Sequence, residues 1–311
     1  MQSQSKPKPL IVIIGPTAVG KTEISLHLAE RFKGEIISAD SRLFYRGMDI
    51  GTAKPTREER DRVPHHLIDV TDPDQVWSLA KYQQAAYTVI DKLHHHGGIP
   101  FLVGGTGQYV RAVTEGWDIP EVKPDLRLRD ALRNWAAEIG HFELYERLSL
   151  VDPLAAEKID PQNIRRIVRA LEVIFTTGQL FSAQRQRSGT PYQTLTLGIT
   201  RPRSELYERI DARIQGMLEA GFVEEVQSLL DKGFSPDNPP LSAIGYRQVI
   251  AYLHGEIPLE AAVVQIKRLT RQYVRQQANW FKPDDPNICW FQVGSSIFGE
   301  MEAAIDQFLR R

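Results

Sequence analysis

The sequence predicts an α/β protein whose mainly parallel sheet is flanked by helices and interrupted by a mainly helical insertion. Three observations predict it. Short apolar runs at residues 10–14, 35–39 and 99–103 alternate with amphipathic stretches, the pattern of buried parallel strands joined by right-handed crossovers. These runs lead into Gly15, Asp40 and Gly104, and ligands of such sheets bind beyond the carboxyl ends of their strands. Strand character then fades over residues 126–178 and returns at 195–199.

The elements follow in order. Residues 10–14 are β-branched and end in Gly15-Pro16, so a strand stops there and a helix is expected from Lys21. The second run gives a strand before Asp40, residues 79–93 an amphipathic helix, and residues 99–103 a third strand that closes in Gly104-Gly105-Thr106-Gly107. A Pro-containing loop at 116–124 introduces the helical insertion. After the returning strand, residues 201–232 read as amphipathic helix ended by Gly233, residues 258–281 as helix, and residues 288–293 as a late strand. The expected domains are therefore a core of residues 1–119 and 195–311 and an insertion of residues 120–194.

Composition narrows the function classes. With 311 residues, 42% hydrophobic and 25% charged, the chain can bury a sizeable core, and disorder is excluded as a default. Its 38 Lys+Arg balance 39 Asp+Glu, so polyanion binding must rest on local clusters. The single cysteine, Cys289, excludes an internal disulfide framework and a multi-cysteine zinc site. The polar, basic start and the shortness of the run at 10–14 argue against a signal or membrane segment, and a cytoplasmic protein is expected. The runs His94-His95-His96 and His65-His66 lack metal-ligand spacing.

Gly15-Pro16-Thr17-Ala18-Val19-Gly20-Lys21-Thr22 fits G-x-x-x-x-G-K-[ST] between a strand and a helix. Backbone N–H groups of such a loop face phosphate oxygens, Lys21 adds a cation, and Thr22 can hold Mg2+ through its hydroxyl. A P-loop NTPase-like core follows. The loop alone leaves three chemistries open: NTP hydrolysis, phosphoryl transfer to a small molecule, and reactions in which diphosphate departs. A hydrolase would offer an acid after an apolar strand; the third run ends in glycines, and Asp69 after Leu67-Ile68 is the weaker candidate. Asp40, at a strand end, can accept a proton or cap a helix. Thr106 sits in a tight glycine turn that can be merely structural.

Longer blocks separate these readings. The loop, then Ser38-Ala39-Asp40-Ser41-Arg42, the stretch from Gly47 to Pro55 with Gly51-Thr52-Ala53-Lys54, the turn from Leu102 to Tyr109, Ile159-Asp160-Pro161-Gln162-Asn163 with Arg165-Arg166 and Arg169, and Ile244-Gly245-Tyr246-Arg247-Gln248 resemble the tRNA dimethylallyltransferase family, in its compact bacterial form, from about residue 10 to 282. The resemblance implies transfer of a dimethylallyl group from dimethylallyl diphosphate to N6 of adenosine 37, beside the tRNA anticodon, with Asp40 as general base. It also implies substrate contact by Thr106, a diphosphate-facing Arg213, and diphosphate held by Lys21, the loop and Mg2+ on Thr22. For the anticodon loop it implies contacts from Asp40, Ser41, Arg42, Leu43, Thr106, Arg127, Arg165, Arg166, Arg169, Gly245, Tyr246, Arg247 and Gln248.

A basic, aromatic-bearing stretch with Arg268, Arg271, Arg275 and Lys282 beside Tyr273, Trp280 and Phe281 suits a splayed RNA loop, and equally a solvated helix with core aromatics. The resemblance favours RNA, with Arg271, Arg275 and Lys282 as contacts. Leu43, Gln108 and Gln276 depart from the usual family pattern. A monomer is expected. An ATP-dependent small-molecule kinase, prenyl transfer to free adenine nucleotide, and an RNA-binding module with a nucleotide switch are the alternatives; Arg165 to Arg169 argue against the second, and Asp40 and Thr106 at strand ends against the third.

Overall fold

The computed structural model describes residues 8–119, 125–183 and 189–310. In chain order the first elements are β1 (Lys8–Ile14), α1 (Lys21–Phe32), β2 (Gly34–Ser38), α2 (Arg57–Arg62), β3 (His65–His66), α3 (Leu79–His95), β4 (Ile99–Gly104) and α4 (Gly107–Thr114). Then come α5 (Leu126–Ile139), α6 (His141–Val151), α7 (Pro153–Ala156) and α8 (Ile164–Thr177). The chain closes with β5 (Tyr192–Thr200), α9 (Arg203–Glu219), α10 (Phe222–Asp231), α11 (Tyr246–Leu253), α12 (Leu259–Gln277), β6 (Ile288–Gln292) and α13 (Ile297–Leu309).

Two compact units result, residues 1–114 with 190–311 and residues 115–189. The boundaries thus differ from 119/120 and 194/195. At the second, β5 already begins at Tyr192, pairing back to Lys8 of β1, so the sheet claims residues that carry little apolar signal. The expected loop at 116–124 lies partly outside the described residues.

In the first unit six strands run in the order β3-β2-β4-β1-β5-β6, every neighbouring pair parallel. Leu10, Ile11, Val12, Ile13 and Ile14 of the central strand are fully buried, because helices cover both faces of a parallel sheet. Each such side chain contributes about 1.5–3 kcal/mol of burial, so a charge at Val12 would break the sheet at its centre. Two elements depart from expectation. β3 is a two-residue edge strand, His65–His66, too short for an apolar run to betray it. The helix expected over residues 201–232 is two, because Gly221 at φ 93° turns the chain between α9 and α10.

The second unit is helical. Leu132, Leu144, Leu148, Ile167 and Leu171 form its core. Its helix starts are built from side chains: Asp125 accepts from the Leu128 amide, Asp152 from that of Ala155, and Asn163 from that of Arg166, each cap contributing about 1 kcal/mol. Asp160 accepts from the Gln162 amide, so the Asp160-Pro161-Gln162-Asn163 stretch is the turn that launches α8.

Candidate active site

The loop after β1 folds as its sequence demands. Ala18 at φ 66° and Gly20 at φ 112° bend the backbone, and no side chain caps the start of α1, which leaves its amides for an anion. Lys21 Nζ donates to the carbonyls of Gly15 (3.0 Å) and Pro16 (2.9 Å). Burial brings the Lys21 ammonium down to about 8; the Asp40 carboxylate opposes that fall and the Arg213 guanidinium adds to it. A buried cation beside a second cation is under electrostatic stress that a bound polyanion relieves.

A cavity of about 120 Å3 opens against this loop. Thr17, Gly20, Lys21, Thr22, Ser25, Ser38, Asp40, Thr52 and Arg213 line it, together with the apolar Ala18, Ile36, Leu43, Ala53, Pro55, Ile68 and Val103. Asp40 is fixed by its own turn: its amide donates to Ser38 Oγ (3.2 Å) and its Oδ1 accepts from the Arg42 amide (3.0 Å). Arg213, on α9, is held below its usual range by burial and by Arg209, with Asp40 pulling the other way. Its two arginine neighbours support the loop from behind, Arg209 Nε donating to the Ala18 carbonyl (2.9 Å) and Arg201 Nε to that of Val19 (3.4 Å). Neither arginine stood out in the sequence.

The segment that brings Thr52, Ala53 and Pro55 to the cavity is held by ionic contacts. Glu225 accepts from the amides of Asp49, Ile50 and Gly51, and the buried Lys54 ammonium is paired with Asp49 and Asp69. Asp69 is further paired with Arg60. Its carboxylate is therefore committed to the fold, which removes it as a hydrolase acid. His65 also lines the cavity; burial holds its imidazole below the usual range, and its Nδ1 is hydrogen-bonded to the Val63 carbonyl.

Thr106 does not line this cavity. It lies close to Tyr273 of α12, whose hydroxyl is raised above its usual range by burial and by the nearby Asp40 charge. Gln277, one turn further along, is buried; its Oε1 accepts from the Thr17 amide and its Nε2 donates to the Gly105 carbonyl, both at 2.9 Å. A lone glutamine carries no sequence signature, so this link across 260 residues was not legible.

The residues expected at RNA differ in their exposure and partners. Gly245, Tyr246 and Gln248 are buried; the Tyr246 hydroxyl donates to Glu225 and Gln248 Oε1 accepts from the Gly245 amide. Only Arg247 of that motif is exposed. Arg271 is ion-paired with Asp211 at 2.6 Å and lies over the Tyr207 ring, whereas Arg268, Arg275 and Lys282 are exposed. Phe281 enters the core, and Trp280 packs against Gly107. Ser41 and Arg42 are half-buried beside Asp40.

In the helical unit, Arg127 and Arg165 are exposed and Arg166 is half-buried. Arg169 and Arg129 instead pair with the fully buried Glu172. Burial alone would raise that carboxyl, but Arg129, Arg169 and the Asp125 amide hold it below the usual range.

Comparison with known proteins bears on the whole chain. The IPP transferase family model matches residues 43–284. A tRNA dimethylallyltransferase of Roseiflexus sp. (strain RS-1) is 50% identical over 297 residues, covering 96% of this chain and 97% of that one. One from Thermomicrobium roseum is 48% identical, covering 93% and 88%. Among solved structures, the full-length tRNA isopentenylpyrophosphate transferase of Bacillus halodurans superposes with a TM-score of 0.73 at 41% identity, covering 97% of each chain. A eukaryotic dimethylallyltransferase acting on tRNA gives 0.81 at 28% identity, covering 98% of this chain and 80% of that one.

Proposed function

The chain belongs to the IPP transferase family and is a tRNA dimethylallyltransferase, and from that premise we propose how its site works. The carrying observation is that Asp40, Lys21 and Arg213 line one cavity together with apolar residues such as Ile36, Leu43 and Val103. Dimethylallyl diphosphate fits that mixed lining, its diphosphate at the loop amides and Lys21, its five carbons against the apolar residues. The acceptor is N6 of adenosine 37, drawn out of the anticodon-loop stack because an enclosed site cannot reach a stacked base.

The amine's lone pair is delocalised into the purine, so the group is a poor nucleophile. Asp40 takes one N6 proton as the bond from nitrogen to the allylic C1 forms. The bond from C1 to the diphosphate oxygen breaks, and its electron pair leaves with diphosphate. Lys21, Arg213 and the loop amides stabilise that departing charge. Thr22 lines the same cavity, and a hydroxyl oxygen suits a hard cation, so Mg2+ would be held there by Thr22 and the substrate oxygens. When bound it neutralises charge on the diphosphate.

Exposed Arg247, Arg268, Arg275 and Lys282 supply cations for RNA phosphates, and Arg127, Arg165 and Arg166 do so from the helical unit. Among the described residues no helix is long and apolar enough to cross a membrane. We assign the enzyme to the cytoplasm, acting as a monomer.

Incubation with labelled dimethylallyl diphosphate, Mg2+ and unmodified tRNA tests this reading, with AMP and ATP as competing acceptors. Label on tRNA alone is expected. Label on AMP would replace the acceptor, and ATP turnover without prenyl transfer would replace the reaction.

A further inference from the structure

We infer that Gln277 is a positioning residue for the transfer step, a strut on α12 that sets the spacing between the phosphate loop and the glycine turn after β4. The inference rests on the reading above, in which the loop holds the diphosphate and Asp40 faces the acceptor.

The side-chain amide of Gln277 has two ends and uses both. Its oxygen accepts from the Thr17 amide of the loop, and its nitrogen donates to the carbonyl of Gly105. The residue is 6% exposed; its bond to Gly105 is buried and that to Thr17 partly so, and loss of the first leaves a backbone carbonyl unpaired inside the protein. The contact is tight. A Cβ on Gly105 would come within 2.4 Å of Gln277 Nε2, so the turn approaches as it does because it carries no side chain at this point. Tyr273, one helical turn earlier, lies close to both Gln277 and Thr106, which brings the strut beside the threonine of the same turn. Thr17 and Gly105 thus meet in a single side chain. Asp40 is tied to the same arrangement through the sheet, for the Ala39 amide donates to the Val103 carbonyl at 2.8 Å.

Transfer requires C1 of the donor and the acceptor nitrogen to be brought within reach of bond formation, and a misplacement on the order of 1 Å can cost about a hundredfold in rate. A strut spanning donor and acceptor sides acts on that distance. It touches no phosphate itself, since its oxygen already occupies the Thr17 N–H. Binding of either substrate alone should therefore depend on it weakly, and turnover strongly.

The test is Gln277→Met, which keeps length and volume while removing both hydrogen bonds, alongside Tyr273→Phe. Steady-state kinetics with labelled dimethylallyl diphosphate and unmodified tRNA are measured with filter binding of tRNA and thermal melting. Gln277→Met should lower kcat between about tenfold and a hundredfold, with KM for the diphosphate and Kd for tRNA both within about threefold of wild type. Tyr273→Phe should lower kcat less, and the double variant should fall short of the product of the two effects, because the residues share one network. An unchanged kcat in either folded variant overturns the inference. So does a loss of activity that only follows the loss of folded protein or the weakening of both substrates. Should Gln277→Met fail to fold, the Tyr273→Phe split between kcat and KM decides. Wild type that transfers no label to tRNA would sink the underlying reading instead, so the two failures are distinct.

Discussion

Raising the pH from 7 to 9 should discharge the lysine of the phosphate loop and loosen the diphosphate substrate. Burial, opposed by Asp40 and reinforced by Arg213, brings Lys21 to about 8. At that value the protonated fraction falls from about 0.9 at pH 7 to about 0.1 at pH 9. If only the charged lysine binds well, affinity for an unreactive thiolo analogue of dimethylallyl diphosphate falls roughly tenfold over the interval. Burial lowers both His65 and Arg213 beside the cavity, and Lys21→Met separates their contribution from that of the lysine. Calorimetric titration with Mg2+ present, in two buffers of different ionisation enthalpy, would report both the affinity and the proton taken up. Lys21→Met should bind more weakly with a flat profile. A flat profile in wild type, or a tenfold slope surviving in Lys21→Met, would refute the reasoning.

Three further outcomes follow from other parts of the molecule. Lys54→Met takes the buried ammonium away from the largely exposed Asp49 and from Asp69, which keeps Arg60; the cost is about 1–3 kcal/mol, read as a melting midpoint lower by a few °C. Replacing Arg165 and Arg166 together by Ala should weaken tRNA binding and reduce the slope of log K against log salt by about 1.4 if each neutralises one phosphate; an unaltered slope in filter binding would remove them from the interface. Glu172→Gln leaves Arg129 and Arg169 sharing a neutral amide in place of a buried carboxylate, and the helical unit should melt earlier in a residue-resolved hydrogen-exchange profile; protection equal to wild type would show the pairs contribute nothing.

Legibility in the sequence tracked how local each feature was. Five of the six strands announced themselves, because a central parallel strand must be apolar on both faces, as residues 10–14 are. β3 did not, since two histidines at a sheet edge carry no such constraint. The break between α9 and α10 lay in Gly221, a residue that a periodicity reading passes over when the apolar spacing continues on both sides. The phosphate loop and Asp40 were visible for the same reason as the strands: contiguous residues at a strand end do the work. Arg201, Arg209 and Gln277 reach the loop from elements far along the chain, and nothing in their own neighbourhoods marks them. Resemblance carries no information on exposure or pairing. It carried Gly245, Tyr246, Arg247 and Gln248 over as one block of RNA contacts, whereas the helix start places only Arg247 outside and turns Tyr246 onto Glu225. Arg169 and Arg271 likewise proved to be cations with carboxylate partners, Glu172 and Asp211, which composition alone cannot reveal.

The central claim is that Asp40, fixed between Ser38 and Arg42 at the edge of the diphosphate cavity, removes the acceptor proton. Single-turnover transfer by Asp40→Asn, with enzyme in excess over labelled substrate and tRNA binding measured beside it, tests that most directly. The account predicts a rate lower by about a hundredfold with tRNA affinity largely intact. A rate equal to wild type would contradict it.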